Sequence, residues 1–175
     1  MEAVTDTLTK PNDQMNMTNA PQTLKNIPTL DFVTKSPSHL LHRAGQEAEE
    51  LFARSIGDLG ITARQFVVLS VVADRENPSQ TTVCEVSGID RSTIADIVRR
   101  LVARGLLARR RTPHDARMYA LRLTAEGMSV LEKANPIAQQ VDASLLNGLL
   151  PSEREDFVAL LEKVAVRPDA TMTDA

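Results

Sequence analysis

Residues 90–127 read DRSTIADIVRRLVARGLLARRRTPHDARMYALRLTAEG, and this stretch decides the fold predicted for the chain. Asp90 is placed to cap an amphipathic helix, which passes through a cluster of arginines. A turn containing Asp115 and Arg117 follows, and an alternating strand then runs into a second capped helix. The pattern predicts a helix followed by a two-stranded hairpin.

The same stretch is basic within an acidic chain. Positions 90–122 hold nine arginines and three aspartates, a local net charge of +6, whereas the whole chain of 175 residues carries −3. A basic region confined to one part of an acidic protein is typical of a protein that binds a polyanion with one face. The basic side chains are all arginine, which favours planar, bidentate contacts. They are Arg91, Arg99, Arg100, Arg104, Arg109, Arg110, Arg111, Arg117 and Arg122.

Length and composition predict one domain with an appended arm. Hydrophobic residues make up 42% of the chain and aromatic residues 3%, so the core is expected to be aliphatic. The single cysteine, Cys84, excludes an intrachain disulfide. No apolar run is long enough to span a bilayer, and the first ten residues lack the order of a signal peptide. We therefore expect a soluble cytoplasmic protein.

The two ends of the chain read as irregular. Residues 1–35 are rich in Thr, Asn, Gln and Pro without sustained periodicity, which predicts a flexible arm. Order is expected to begin at Ser36-Pro37 with a long helix that runs to Gly60. Residues 167–175 are expected to form a loose tail.

The middle of the chain has the helix-turn-helix pattern. Thr62 and Gln65 form a capping box at the start of a helix, which Asn77-Pro78 ends. A short helix over residues 81–87, a turn at Gly88 and the helix capped by Asp90 complete the motif. Apolar residues at helical spacing form the inner face of that last helix: Ile94, Ile97, Val98 and Leu101.

A hairpin and two further helices follow. Residues 106–111 and 118–123 are predicted strands joined by a projecting loop. The second strand is expected to be half buried, with one face formed by Tyr119, Leu121 and Leu123. Thr124 is expected to cap a long helix that Pro136 bends, and Ser152 with Glu155 to mark the last helix. Apolar stripes on these two helices comprise Val130, Ala134, Ile137, Val141, Leu145, Phe157, Leu160, Leu161 and Val164.

These residue types suit duplex DNA. An α-helix fits the major groove, where Ser92, Thr93 and Asp96 can donate to or accept from base edges. Arg99 and Arg100 suit a phosphate or a guanine. The arginines of the hairpin would lie near the DNA backbone, and Arg117 at the loop tip suits the minor groove. The candidate DNA-binding residues are Arg91, Ser92, Thr93, Asp96, Arg99, Arg100, Arg109, Arg110, Arg111 and Arg117.

Asp115 has a different expected role. A carboxylate next to DNA is repelled by phosphate, so we expect it to accept hydrogen bonds from an arginine, either Arg117 or one on the helix, and to orient it.

The segments GIDRSTIADIVRRLVARGLLARRR and DARMYALRLTAEG closely resemble the winged helix-turn-helix of MarR-type transcriptional regulators. The specific marks are Asp115-x-Arg117, Leu121, Leu123, Thr124 and Gly127. The resemblance covers residues 36–166 and implies a mainly α fold with a two-stranded wing. Residues 36–60 and 124–166 would form a dimerisation region, and residues 62–123 the winged helix-turn-helix.

The resemblance also implies partners. It implies a homodimer, in agreement with apolar stripes that would leave a monomer with an exposed patch. The dimer would bind a pseudo-palindromic operator with half-sites about 34 Å apart. Family members usually repress, and they are released by a phenolic or aromatic acid or its coenzyme A thioester, as suits control of aromatic compound catabolism. No cofactor is expected.

An effector pocket is expected where the first, second and post-wing helices meet. The candidate lining residues are Leu40, His42, Arg43, Arg64, Phe66 and Leu69, and either Arg43 or Arg64 would pair with an anionic group. The alternative for His39 and His42 is a plain surface position, and for Phe66 a core position.

The sequence favours three other functions less: a redox sensor, an enzyme and a protein-interaction module. Cys84 would be a redox sensor if it were exposed and its thiol pKa depressed, but its position on the short helix favours packing. The chain has neither a Gly-rich phosphate loop nor a nucleophile elbow, and the spacing of His39, His42 and His114 does not favour a metal cluster, so no enzyme is expected. A winged helix used only for protein contacts would not need nine arginines.

Overall fold

A computed structural model of the protein describes residues 29–111 and 119–165. The described residues are mainly helical, with one two-stranded antiparallel sheet, and this confirms the fold class predicted from the sequence. The elements in chain order are α1 (Leu30–Thr34), α2 (Pro37–Ser55), a 3-10 turn (Gly57–Leu59), α3 (Ala63–Asp74), α4 (Gln80–Ser87), α5 (Arg91–Ala103), β1 (Leu107–Arg111), β2 (Tyr119–Leu123), α6 (Ala125–Leu145) and α7 (Pro151–Ala165). The greater part of the predicted arm, the wing loop and the tail lie outside the described residues.

The first compact unit ends at Leu40 and contains an element that the sequence did not predict. Helix α1 forms inside the stretch expected to be irregular, because local contacts support a single turn. The Thr29 hydroxyl accepts a hydrogen bond from the Phe32 amide at 3.3 Å, and Lys35 pairs with Asp31 at 2.9 Å. Helix α2 begins at Pro37 as predicted, with Ser36 accepting from the His39 amide.

Helix α2 ends earlier than expected. It stops at Ser55, and a 3-10 turn carries the chain to Gly60. Gly57 and Gly60 both have positive φ, near +55° and +59°, which glycine adopts without strain. Two left-handed glycines therefore end the helix where apolar periodicity alone had extended it.

The helix-turn-helix forms as predicted. Thr62 and Gln65 exchange both hydrogen bonds of a capping box at the start of α3. Gly88, with φ +67°, ends α4, and Asp90 caps α5. These helices enclose an aliphatic core whose largest fully buried side chains are Val68, Leu69, Val83, Ile94, Val98, Leu101, Leu107 and Leu121.

Strands β1 and β2 pair antiparallel, with Leu107 opposite Leu123 and Arg109 opposite Leu121. The predicted alternation of β2 was partly wrong, because Tyr119 is exposed and Ala120 is buried. The middle of β2 packs against α3 and α4, and the Leu121 amide donates to the Pro78 carbonyl at 2.8 Å. Both faces of the strand centre are thus covered.

Gly127 allows α6 to lie against the wing base. A Cβ at this position would stand 2.0 Å from the Leu106 carbonyl oxygen, closer than any side chain can approach. Thr124 caps α6 as predicted and donates its hydroxyl to the Gly105 carbonyl at 2.6 Å. Helix α6 continues through Pro136 for 21 residues.

Helix α7 starts before the predicted cap. Ser152 and Glu155 were expected to mark its start, but Pro151 is its first residue and the Glu153 carboxylate accepts from the Leu150 amide at 2.8 Å. Proline suits the first helical position because it has no N–H to satisfy there. Across residues 29–111 and 119–165, no helix combines the length and apolar character needed to cross a membrane.

Candidate nucleic-acid interface

Helix α5 has one buried and one exposed face. Ile94, Val98 and Leu101 are fully buried against α3 and α4. The polar residues at the intervening positions face solvent, as a helix that enters a DNA groove requires. The exposed candidates on this helix are Arg91, Ser92, Arg99 and Arg100, and Thr93 and Asp96 are partly exposed.

Asp90 organises the first turn of α5. Its carboxylate accepts hydrogen bonds from the Ser92 hydroxyl at 2.5 Å and from the Thr93 amide at 2.9 Å. The Ser92 bond, followed by those of Thr93, holds the pKa of Asp90 well below its usual value. Because the Ser92 proton is committed to Asp90, the hydroxyl oxygen is left to act as an acceptor, suited to the exocyclic amine of adenine or cytosine.

Asp96 binds two arginines at once. Its carboxylate accepts a hydrogen bond from the guanidinium of Arg99 and forms an ion pair with Nε of Arg100 at 2.7 Å. The hydrogen bond from Arg99 is the main reason that the pKa of Asp96 is lowered. Sequence reasoning placed Asp96 at base edges and gave the arginine-orienting role to Asp115. In the structure, Asp96 orients the arginines of the helix.

The wing supplies a second basic surface. Arg109, Arg110 and Arg111 are all exposed on β1. A shallow groove of about 240 Å³ lies between Arg109 and the start of α4, where it is also lined by Ser79, Gln80 and Tyr119. Asp115 and Arg117 fall outside the described residues, so their expected roles stay predictions.

Two arginines of the basic stretch have partners within the fold. The guanidinium of Arg104 donates to the Gly60 carbonyl at 2.7 Å and to the Leu59 carbonyl at 3.1 Å. Nε of Arg122 donates to Oδ1 of Asn77 at 2.7 Å. Both arginines belong to the basic stretch that was expected to face DNA, but these hydrogen bonds commit them to contacts within the fold. Their partners lie 44 or 45 positions away, and the sequence carried no local signal for them.

A cavity of about 640 Å³ lies between the C-terminal half of α2 and the start of α3. An ion pair of 3.2 Å between Arg64 and Glu49 stands among its lining side chains. The cavity is also lined by Phe52, Ala53, Ile56, Gly57, Gly60, Ile61, Thr62 and Ala63. Its volume falls within the range of small-molecule sites.

The candidate effector residues separate in the structure. Arg64 lines the cavity, whereas Leu69 is fully buried in the core. Phe66 is partly buried and packs against Phe52 with ring centroids 5.7 Å apart, as a core residue does. The other three, Leu40, His42 and Arg43, are exposed positions on α2 outside the cavity lining.

A second, apolar cavity of about 490 Å³ lies where α2 meets the C-terminal helices. It is lined by Leu41, Ala44, Gly45, Ala48, Leu145, Leu146, Gly148, Leu149, Phe157 and Leu161. On α7, Leu160 is 59% exposed and Val164 is 66% exposed. These helices present apolar surface that this chain alone leaves open to water.

Cys84 carries a free thiol that is partly buried against the core through α4. Within the parts of the chain that the structure describes, no three His, Cys, Asp or Glu side chains gather as metal ligands.

A short helix, a capped and arginine-rich recognition helix and a two-stranded wing define a winged helix-turn-helix protein. The profile of the MarR family matches residues 59–118. The chain is also 33% identical over 132 residues to the HTH-type transcriptional repressor NicR of Pseudomonas putida, which covers 75% of this chain and 84% of NicR. The chain belongs to the MarR family of transcriptional regulators.

Solved structures of other regulators are similar in fold to this chain. BpsR of Bordetella bronchiseptica, whose DNA binding is regulated by 6-hydroxynicotinic acid, has a TM-score of 0.73 and 36% identity, covering 77% of this chain and 96% of BpsR. PcaV of Streptomyces coelicolor, in complex with its natural ligand, has a TM-score of 0.73 and 34% identity, covering 79% of this chain and 97% of PcaV.

Proposed function

We propose that this protein is a homodimeric repressor that binds a pseudo-palindromic operator and is released by a small aromatic acid or its coenzyme A thioester. The observation that carries this proposal is the arrangement of α5, where Asp96 fixes Arg99 and Arg100 on the exposed face of a capped helix. Oriented guanidinium groups suit the paired acceptors of guanine and phosphate oxygens.

The proposed complex places α5 in the major groove. Ser92 and Thr93 in its first turn would contact base edges, while Arg91, Arg99 and Arg100 would contact bases or flanking phosphates. The wing arginines Arg109, Arg110 and Arg111 would lie along the DNA backbone. Arg117, oriented by Asp115, would enter the minor groove.

The dimer is proposed from the apolar surfaces of α2 and α7. Every residue of α7 keeps exposed surface in the single chain, including Leu160 and Val164. A helix of 15 residues is marginal alone in water, so its apolar side chains need a partner. A second copy of the same chain would cover these surfaces under twofold symmetry and present two α5 helices about one turn of DNA apart.

The effector is proposed to occupy the 640 Å³ cavity. Phe52, Ile56 and Ile61 line it with apolar side chains, and Arg64, also in the lining, supplies a cation. The Arg64–Glu49 pair is exposed, so exchanging the Glu49 carboxylate for that of a ligand costs little. The regulation of BpsR by 6-hydroxynicotinic acid supports this chemical class.

The test is selection of duplexes from a random library by the purified protein, followed by titration of the recovered sequence. We expect an inverted repeat bound by two protomers, with affinity lowered by 6-hydroxynicotinic acid or benzoic acid. Recovery of no enriched duplex would contradict DNA binding. Enrichment with no response to either acid, or to their thioesters, would contradict the effector class alone.

A further inference from the structure

The C-terminal end of α5 is a junction between elements. The Leu106 amide donates to the Leu101 carbonyl at 2.9 Å and the Gly105 amide to Val102 at 3.0 Å, which closes the helix with Gly105 in a left-handed conformation. The Leu106 carbonyl then accepts from the Thr124 amide at 3.2 Å. The end of the recognition helix is thereby fixed to the start of α6.

Arg104 attaches the same helix end to a second place. Its two terminal nitrogens donate to the carbonyls of Gly60 and Leu59, at 2.7 and 3.1 Å. These carbonyls belong to the turn that follows α2, in which Gly60 is left-handed. A planar guanidinium reaches two carbonyls at once, a geometry that the single ammonium of lysine does not reproduce.

The turn held by Arg104 is also a wall of the 640 Å³ cavity. Gly57, Gly60 and Ile61 line the cavity beside Arg64. A molecule that enters the cavity and displaces this wall therefore displaces the two acceptors of Arg104. Because the Leu106–Thr124 hydrogen bond fixes the end of α5 to α6, loss of the Arg104 hydrogen bonds changes the second set of contacts that position the end of α5.

We propose that Arg104 is a positioning residue that links the cavity to the recognition helix and makes no contact with DNA. The regulatory meaning of this link rests on the proposed function. The link itself is a physical coupling between the cavity wall and the last turn of α5, carried by two hydrogen bonds across 44 and 45 positions of sequence.

Hydrogen exchange of the full chain tests the link without an identified effector. Ala53 is exposed and lines the cavity, so Ala53→Leu adds apolar bulk to the cavity without entering the core. We expect Ala53→Leu to change amide exchange in residues 101–106 by about threefold or more, within the range of measured couplings. In an Arg104→Met background the same substitution should leave those amides unchanged. An equal response in both backgrounds, or no response in either, would overturn the proposal.

Arg104→Lys provides a second variant if Arg104→Met does not fold. It keeps the charge and one of the two hydrogen bonds, so we expect a reduced response of residues 101–106 to Ala53→Leu. A response of full size would overturn the proposal.

DNA binding adds a readout that a purely structural role would not move. Arg99→Met should reduce the slope of log affinity against log salt by about 0.9, as expected for one lost phosphate contact. Arg104→Met should keep the wild-type slope and remove the effect of Ala53→Leu on affinity. A reduced slope for Arg104→Met would make Arg104 a phosphate contact and overturn the proposal. If the wild-type protein binds no DNA, the proposed function fails, and the exchange experiment decides the link by itself.

Discussion

The Asp96 carboxylate binds the guanidinium groups of Arg99 and Arg100 on the exposed face of α5. It fixes the positions of the two guanidinium groups. Its negative charge also repels a phosphate, unless the DNA site binds the arginines more strongly than Asp96 does. Such a carboxylate favours a correct site over random DNA, because specificity depends on disfavouring wrong contacts as well as making right ones.

Asp96→Asn should therefore relax discrimination. We expect affinity for random duplex DNA to rise and the ratio of specific to random affinity to fall by about fivefold, modest because an exposed ion pair contributes little. Competition titrations with random duplex measure this ratio. Asp74→Asn, which removes an exposed pair with Arg75 at the end of α3, is the matched control and should leave the ratio unchanged. A ratio that stays at the wild-type value for Asp96→Asn would contradict the role.

The lowered pKa of Asp96 sets the pH dependence of this role. Because the pKa is lowered, the charged carboxylate and its ion pairs are fully present above 3.8, the ordinary pKa of an aspartate. They are lost as pH falls through the lower pKa of the folded protein. Specific affinity should accordingly show no titration step from Asp96 between about pH 5 and pH 8. A titration step in that range that disappears in Asp96→Asn would contradict the lowered pKa of Asp96.

Arg64 and Glu49 make opposite predictions for the effector. Arg64→Gln should weaken binding of an aromatic carboxylate by about tenfold, a typical value for losing a charge-assisted hydrogen bond. Glu49→Gln should strengthen it, because Arg64 loses its competing partner. Calorimetry with 6-hydroxynicotinic acid and benzoic acid measures both. Arg43→Gln serves as the control, and a loss confined to that variant would move the site away from the cavity.

At the scale of single elements, the close approach of α6 to the wing base depends on Gly127. A Cβ there would meet the Leu106 backbone and the Leu123 side chain, so Gly127→Ala must push the start of α6 away from Leu106. We expect a loss of about 2 kcal/mol or more in the free energy of unfolding, since overpacking against backbone is not relieved by a rotamer change.

Urea denaturation of Gly127→Ala and Gly148→Ala provides the comparison. Gly148 is the matched control because a Cβ there meets no described atom within 4 Å. Near-equal unfolding free energies for the two variants would contradict the close approach.

Elements whose signals are local could be predicted from the sequence. The cap side chains of Thr62, Asp90 and Thr124 each accept a hydrogen bond from the amide three positions on, so the residue pattern predicts them. The recognition helix and hairpin followed from periodicity and charge. The early end of α2 could not be predicted in this way, because the turn with two left-handed glycines continues the apolar spacing of a helix.

Contacts between distant segments could not be predicted. Arg104 and Arg122 looked like the other arginines of the basic stretch, although one holds the turn after α2 and the other holds Asn77. The burial of Ala120 likewise depends on α3 and α4 packing across β2. For the candidate site, sequence identified the exposed residues of α5 and β1 but not that Asp96 orients two of them.

At the scale of the whole molecule, the proposed dimer depends on the apolar surface of α7. Leu160→Glu would place a charge on a side chain that is 59% exposed in the single chain. We expect the chain to remain folded through its core, to become monomeric, and to lose operator affinity by about a hundredfold or more, since one of two half-site contacts is lost. Analytical ultracentrifugation and circular dichroism measure the two properties. Glu162→Gln on the same helix is the control, and a dimeric Leu160→Glu protein would place the interface elsewhere.

We propose that α5 and the wing bind duplex DNA at two places in one symmetric dimer. The most direct measurement of this binding is a fluorescence anisotropy titration of the selected operator at several salt concentrations, with stoichiometry determined at saturation. We expect two protomers for each duplex and log affinity that falls linearly with log salt, with a slope of about −0.9 for each phosphate contact. A monomeric protein that fails to bind the duplex at low salt, or binding whose strength does not change with salt, would contradict this proposal.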